Sequence, residues 1–311
     1  MPGERGELEK TVAHLQIDQA CDLRCDRCDR YFQCNKPEKK TLIETERFKR
    51  ARQAMAKIKH KIAVSAGKGG VGKSMTTCAL AIGLAMKGRK VGVLDHDFDG
   101  PCDHRMLGVV GKELRMTEEG IVPVEGPLGI KVVSLGNVLK DEEVLIWFHK
   151  MRRQATEEFL CHVLWGELDY LLVDLPPGTS SDAVDIMQYI PDLDGMITVT
   201  IPAKVSQIVA KKATKLAQMA EIRVLGVIEN MSGYGCPQCG RIWEIFEKGG
   251  GELLAKECGV PLLGKIPMDP RVSASNDRGA AFLLDYPDSP ATKAVLEIVD
   301  KIIEMVEGGK S

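Results

Sequence analysis

Two things are missing from this 311-residue chain: an apolar run long enough to cross a bilayer, and a dominant sign of charge. The first argues against a membrane-spanning protein. The second, 42 Lys and Arg against 44 Asp and Glu, gives no electrostatic reason to expect a nucleic-acid partner. Internal repeats and low-complexity tracts are absent too, and the length suits one large domain with an appendage. Met1 to Lys10 is polar and acidic rather than signal-like. The expectation is a cytoplasmic protein that binds neither membrane nor nucleic acid.

Cysteine, by contrast, is abundant. The chain has ten, and six fall in two clusters: Cys21, Cys25, Cys28 and Cys34, then Cys236 and Cys239. In a reducing compartment clustered thiols read as metal ligands rather than disulfides. Cys78 and Cys161 lie in apolar, helix-like surroundings and read as core residues.

Three segments follow from the pattern along the chain. Residues 1–40 are cysteine-rich with too little apolar surface to fold alone, so a bound metal would organise them. Residues 41–60 read as an exposed linker helix, with Leu42, Phe48, Ala51, Met55 and Ile58 at roughly helical spacing. From residue 61 to 311 short apolar runs alternate with helical stretches. The runs are Ile62–Ala66, Val91–Leu94, Lys131–Ser134, Tyr170–Val173, Met196–Thr200 and Val224–Ile228. That alternation predicts an α/β fold, a mainly parallel sheet sandwiched by helices with ligands at the carboxyl ends of the strands. The last helix, roughly Ala291–Glu307, carries one apolar face and is expected to pack on the sheet.

One of those strand ends carries a phosphate loop. Ile62–Ala66 runs into Gly67-Lys68-Gly69-Gly70-Val71-Gly72-Lys73-Ser74 and then a helix, which satisfies GxxxxGK[ST] in its required context. Glycines let backbone N–H groups and a helix N-terminus wrap the phosphates of ATP. Lys73 is placed to reach the β- and γ-phosphates, and Ser74 to ligate Mg²⁺. Two further strands end in Asp95-His96-Asp97 and in Asp174-Leu175-Pro176-Pro177-Gly178. Asp174 suits Mg²⁺ binding, and Asp95 or Asp97 would orient the attacking water or the metal. A strand-end aspartate is also a common turn or cap residue.

The second lysine of the loop, Lys68, makes it resemble the deviant Walker-A ATPases with their KGGVGK[ST] signature. The resemblance narrows to the Mrp/ApbC family of iron–sulfur cluster carrier ATPases through SAGKGGVGKS, WGELDYLLVDLPPGTSSD, VLGVIENMSGYGCPQCG, EIFEKGGGELLAKECGVPLLGKIPMDPRV and NDRG. It covers nearly all of residues 61–306. It implies a homodimer in which Lys68 reaches the partner's nucleotide and acts with Lys73 and Asp97 in hydrolysis. It implies nucleotide contacts from Gly67 through Met75 and, around the base, from Asn230, Pro267 and Asp269. Two segments depart from the family pattern: Asp95-His96-Asp97-Phe98-Asp99-Gly100-Pro101-Cys102, and Trp147-Phe148-His149-Lys150. Cys102 and His104 beside the strand-end aspartates are either extra metal ligands or simple replacements.

Cys236-Pro237-Gln238-Cys239 supplies two thiolates, half of what a tetrahedral zinc site or a [4Fe-4S] cluster needs. A symmetric dimer would supply the other half across its two-fold axis. A zinc knuckle or a redox pair is the alternative; the resemblance implies a bridging [4Fe-4S] cluster passed to apo iron–sulfur proteins. Cys21-x3-Cys25-x2-Cys28-x5-Cys34 offers four thiolates in one chain. Its later spacing resembles the ferredoxin-like motif of the family's scaffold branch, whereas the position of Cys21 departs from it. A structural zinc site remains open there. The CxxxCxxC match to the radical-SAM signature lacks the following barrel. Two other functions stand beside the carrier reading: a positioning ATPase of the MinD/ParA kind, and an ATP-driven electron donor resembling the nitrogenase iron protein.

Overall fold

The computed structural model describes residues 46–139, 149–178, 183, 186–187, 189–235, 242–246 and 248–308. Both cysteine clusters and Trp147-Phe148 therefore lie outside the described residues. The chain falls into two compact units, residues 1–49 and 50–311, and the sheet and its cores belong to the second.

Helix α1 (Glu46–Ala54) leads to strand β1 (Ile58–Ala66), the phosphate-loop segment and helix α2 (Lys73–Met86). Then come β2 (Val91–Asp95), the short α3 (Asp103–Met106), the two-residue strands β3 (Arg115–Met116), β4 (Ile121–Val122) and β5 (Val124–Glu125), and β6 (Lys131–Val133). Next are α4 (His149–Cys161), β7 (Leu168–Asp174), β8 (Gly195–Thr200), α5 (Lys204–Met219), β9 (Val224–Gly235) and β10 (Ile242–Trp243). The chain closes with α6 (Gly250–Cys258), β11 (Leu262–Met268), α7 (Pro270–Asp277), α8 (Phe282–Asp285) and α9 (Pro290–Glu307).

Nine of the eleven described strands form one sheet in the order β10-β9-β8-β1-β7-β2-β6-β5, with β11 also paired to β9, and β3 pairs with β4 in a separate antiparallel ribbon. Within the large sheet the pairs from β11 and β9 across to β6 are parallel, while β10 on β9 and β5 on β6 run antiparallel. Parallel strands need both faces covered, and the burial pattern meets that need. Along β7, Tyr170 and Leu172 enter one core with α2 and α9, while Leu171 and Val173 enter the other with Phe159 and Leu160 of α4. The period of two assigns alternate residues to the two layers. Each fully buried Leu or Val there contributes roughly 1.5–3 kcal/mol by leaving water.

The helix expected over 41–60 differs from what forms. α1 stops at Ala54, and β1 begins at Ile58 because Ile58 and His60 pair with Leu168 and Tyr170. Ala51 and Met55 are buried in the second core rather than exposed. Strand pairing with a distant segment overrides local apolar spacing here. The final helix does pack on the sheet as expected: Ile298 lies so close to Gly264 of β11 that a Cβ there would meet it at 2.5 Å. At its C-terminal end Glu307 receives Arg89 through two hydrogen bonds and the Tyr170 hydroxyl at 2.8 Å, which staples α9 to the sheet.

Candidate functional site

β1, β2 and β7 are neighbours, so Ala66, Asp95 and Asp174 end on the same edge of the sheet. The loop 67–72 connects β1 to α2, and Gly72 is the N-cap of that helix in the left-handed region, φ 81°. A Cβ at Gly72 would also meet Asn230 Nδ2 at 2.2 Å. At Gly67 the constraint is distance alone: a Cβ would strike the Ala210 nitrogen of α5 at 2.3 Å. Gly69, Gly70 and Lys68 lie on the open side of the loop, with Lys68 half-buried. Val71 is buried and Met75 half-buried.

Lys73 and Ser74 open α2 and are both buried. The Lys73 ammonium donates to Asp174 Oδ2 and lies 3.7 Å from Asp97 Oδ2. Ser74 Oγ donates to the same Asp174 oxygen at 2.6 Å, and Thr77 Oγ1 donates to Oδ1 at 2.6 Å. Burial alone would pull the Lys73 ammonium down; Asp174, Asp103 and Asp97 outweigh it and hold the group above the ordinary lysine range. The lysine stays charged. Ser74 Oγ and Asp174 Oδ2 are hard oxygen donors able to share one Mg²⁺, which prefers such ligands and completes its shell with phosphate and water.

Asp95 has a different set of partners. Its Oδ1 accepts from the Asp97 amide at 3.1 Å. Its Oδ2 accepts from the Cys102 and Asp103 amides at 3.0 and 3.2 Å and from Ser134 Oγ at 2.8 Å. One carboxylate thus suspends the whole 97–103 loop over the site. Burial and the nearby Asp174 push its carboxyl up to about 7. Asp97 is half-buried at the mouth, accepts from the Gly100 amide, and burial raises it while Lys73 pulls against that shift.

Cys102 is half-buried, and burial pushes its thiol up to about 12, so it is neutral near pH 7. His104 is buried with Nδ1 3.5 Å from Ser134 Oγ. Cys78 is buried, as a core residue would be, whereas Cys161 is only partly so. Asn230 is buried and donates to the Val71 carbonyl at 2.9 Å. Pro267 is half-buried in β11. Asp269 caps α7, and its carboxylate accepts from Arg271 and from Ser289 Oγ at 2.7 Å. Cys21, Cys25, Cys28, Cys34, Cys236 and Cys239 lie outside the described residues; β9 ends at Gly235, next to Cys236 in sequence.

Three residues at this site went unread in the sequence. Thr77 falls one turn after Lys73 on the same helix face, a spacing that would have found it. Ser134 and Asp103 carry no such local signal, because only strand order brings β6 and the 97–103 loop beside Asp95.

A glycine loop between strand and helix, a buried lysine at its end and a carboxylate on the adjacent strand end define a P-loop NTPase. Comparisons with known proteins agree. The family model described as the NUBPL iron-transfer P-loop NTPase, within ParA, matches residues 57–303, and the chain belongs to that family. It is similar to an iron-sulfur cluster carrier protein of Saccharolobus solfataricus, 46% identical over 257 residues that span 82% of this chain and 87% of the relative. The carrier protein of Methanocaldococcus jannaschii is 45% identical over 291 residues, 93% of this chain and 99% of the relative. Among solved structures, a nucleotide-binding protein of Archaeoglobus fulgidus in complex with ADP superposes with a TM-score of 0.67 at 36% identity, covering 75% of this chain and 92% of that one. Among the described residues no helix is long and apolar enough to cross a membrane.

Proposed function

We propose that this chain is an ATP-hydrolysing carrier that holds a labile [4Fe-4S] cluster and delivers it to apo iron–sulfur proteins. The observation that carries the reading is the buried Lys73–Asp174–Ser74 cluster at the end of the glycine loop, in a chain whose relatives are named iron-sulfur cluster carriers. Lys73 exchanges Asp174 for the β- and γ-phosphates, and the loop amides of residues 67–72 surround them. Ser74 and Asp174 hold Mg²⁺, which neutralises charge on the phosphates. Asp97, at the mouth, orients the attacking water; Asp95 fixes the loop that carries it. Met75 continues the nucleotide contacts of the loop, and Asn230, Pro267 and Asp269 form the base side of the site, Asn230 and Asp269 by shaping the chain around it.

Lys68 then belongs to the partner's nucleotide, which makes the working unit a homodimer. Cys236 and Cys239 are half of a four-thiolate set that the second copy completes. ATP biases the dimer between holding and releasing geometries through the contacts it makes in each. Cys25, Cys28 and Cys34, with Cys21 as the departing member, form a second metal set.

The test is cluster transfer. Protein reconstituted anaerobically with iron and sulfide is mixed with an apo acceptor whose activity reports the cluster. The wild type should transfer, and Cys236→Ala with Cys239→Ala should lose at least tenfold in transfer rate. Equal transfer by the double variant, or zinc as the only metal bound by the anaerobically purified protein, would sink the carrier reading.

A further inference from the structure

Asp95, Asp103 and Asp174 are all fully buried, and each brings a carboxylate oxygen within 4.8 Å of the other two. Their hydrogen bonds are unevenly distributed. Asp174 receives Thr77, Ser74 and Lys73. Asp95 receives three amides and Ser134. Asp103 receives a long contact of 3.5 Å from the Cys78 thiol on Oδ1, and among the described residues its Oδ2 has no hydrogen-bond partner although the residue is 0% exposed. A buried carboxylate oxygen left without a donor is costly.

A positive charge already sits against this cluster. The Lys73 ammonium bonds Asp174 and is attracted by Asp103 and Asp97. It stands in for a cation. Yet one ammonium faces three buried carboxylates, with Asp97 a fourth at the mouth. If Lys73 turns to phosphate, as the proposed nucleotide site requires, the carboxylates lose even that charge.

We infer that Asp103 and Asp174, with Asp95 behind them, form a binding site for a hard divalent cation of the Mg²⁺ or Mn²⁺ class that fills without nucleotide. Phosphate-loop sites ordinarily hold Mg²⁺ by one or two protein oxygens and depend on the phosphates for the rest. Here three carboxylates converge before any phosphate arrives. Entry of the cation displaces the Lys73 ammonium from Asp174 and leaves it to meet the incoming phosphates. Asp103 sets the order of loading: cation first, nucleotide second. The inference rests on the proposed nucleotide site only for this last step.

The experiment is Mn²⁺ titration of the full-length, chelator-treated, nucleotide-free protein, followed by electron paramagnetic resonance of free Mn²⁺. Because Mn²⁺ is a hard cation, the thiol clusters compete poorly for it. Wild type should bind one Mn²⁺ per chain, and Asp103→Asn should bind it at least tenfold more weakly. Lys73→Met, which removes the competing ammonium, should bind it at least tenfold more tightly. That opposite response keeps the test decisive should Asp103→Asn fail to fold. No Mn²⁺ bound by wild type without nucleotide, or unchanged affinity in Lys73→Met, overturns the inference. ADP binding, measured separately by calorimetry, reports on the nucleotide reading: its absence would remove that reading while leaving the Mn²⁺ result intact.

Discussion

Asn230 Nδ2 donates to the Val71 carbonyl at 2.9 Å, although the two residues stand 159 apart in the chain. The bond ties the phosphate loop to β9, and the same amide fills the space that a Cβ on Gly72 would need. The conformation of the loop is therefore set by a strand that follows six others of the sheet in the chain.

Asn230→Ala should weaken nucleotide binding. Removing one partner of a buried hydrogen bond costs about 1–3 kcal/mol, or roughly 5- to 150-fold if the whole cost falls on the bound loop. Gly72→Ala should abolish binding, because it combines φ 81° with the 2.2 Å approach to Asn230. The double variant should bind better than Gly72→Ala alone, since the clash is then gone and only the backbone strain remains. Calorimetric ADP titrations of the three variants decide it; strict additivity would show that the two residues do not share this space.

Asp95→Ala should destabilise the protein and disorder the 97–103 loop. Three amides and the Ser134 hydroxyl lose their acceptor at once. Urea unfolding should give a loss of about 3–5 kcal/mol, from several buried donors left unpaired. Hydrogen exchange at the Cys102 and Asp103 amides should accelerate. A loss under about 1 kcal/mol would mean that the loop holds itself.

His96 gives a pH test of the same region. It is buried against Phe98 with ring centroids 4.2 Å apart, and burial, assisted by the Arg152 charge, pushes its imidazole down to about 4. The unfolded chain protonates this ring near pH 6.5 and the folded one only near 4, so the unfolded state binds the extra proton between those values. Stability is full above pH 6.5 and is lost as pH falls toward 4. The share lost by pH 5 is about 2 kcal/mol. His96→Phe removes this term, so the difference in Tm between variant and wild type should shift in the variant's favour from pH 7 to pH 5. A difference that stays constant with pH would place the ring in water-accessible surroundings.

Lys68→Ala should separate binding from turnover. The residue lies on the open side of the loop rather than in the buried Lys73 cluster. ADP affinity should change less than threefold while ATP hydrolysis falls at least tenfold, read by calorimetry and phosphate release. Retained hydrolysis would remove Lys68 from the proposed dimer mechanism.

The sequence showed the sheet because parallel strands buried on both faces read as short continuous apolar runs, and six of those runs became β1, β2, β6, β7, β8 and the first half of β9. The loop at Gly67–Ser74 was legible because its glycines and lysine are contiguous. β11 was not, since Gly264 and Pro267 interrupt its apolar residues. Asp95 was legible as a strand-end acid but not as the hub of a loop, because its partners become neighbours only through the order β7-β2-β6. Asp103 gave no signal for the same reason: its surroundings are made by three strands and a helix that lie far apart in the chain.

β9 runs beyond Asn230 to Gly235 and is flanked by β8 as far as Glu229 and by β11 as far as Tyr234. Between those pairings Met231 and Gly233 take left-handed φ of 54° and 76°, and the register with β11 shifts before Tyr234. The stretch from the amide that grips the loop to the strand's end is therefore jointed rather than straight. If the loop shifts with the state of the phosphates, this joint turns the residue before Cys236. On the proposed function, the time a cluster stays aboard is then set by the lifetime of the nucleotide, with this joint as the link.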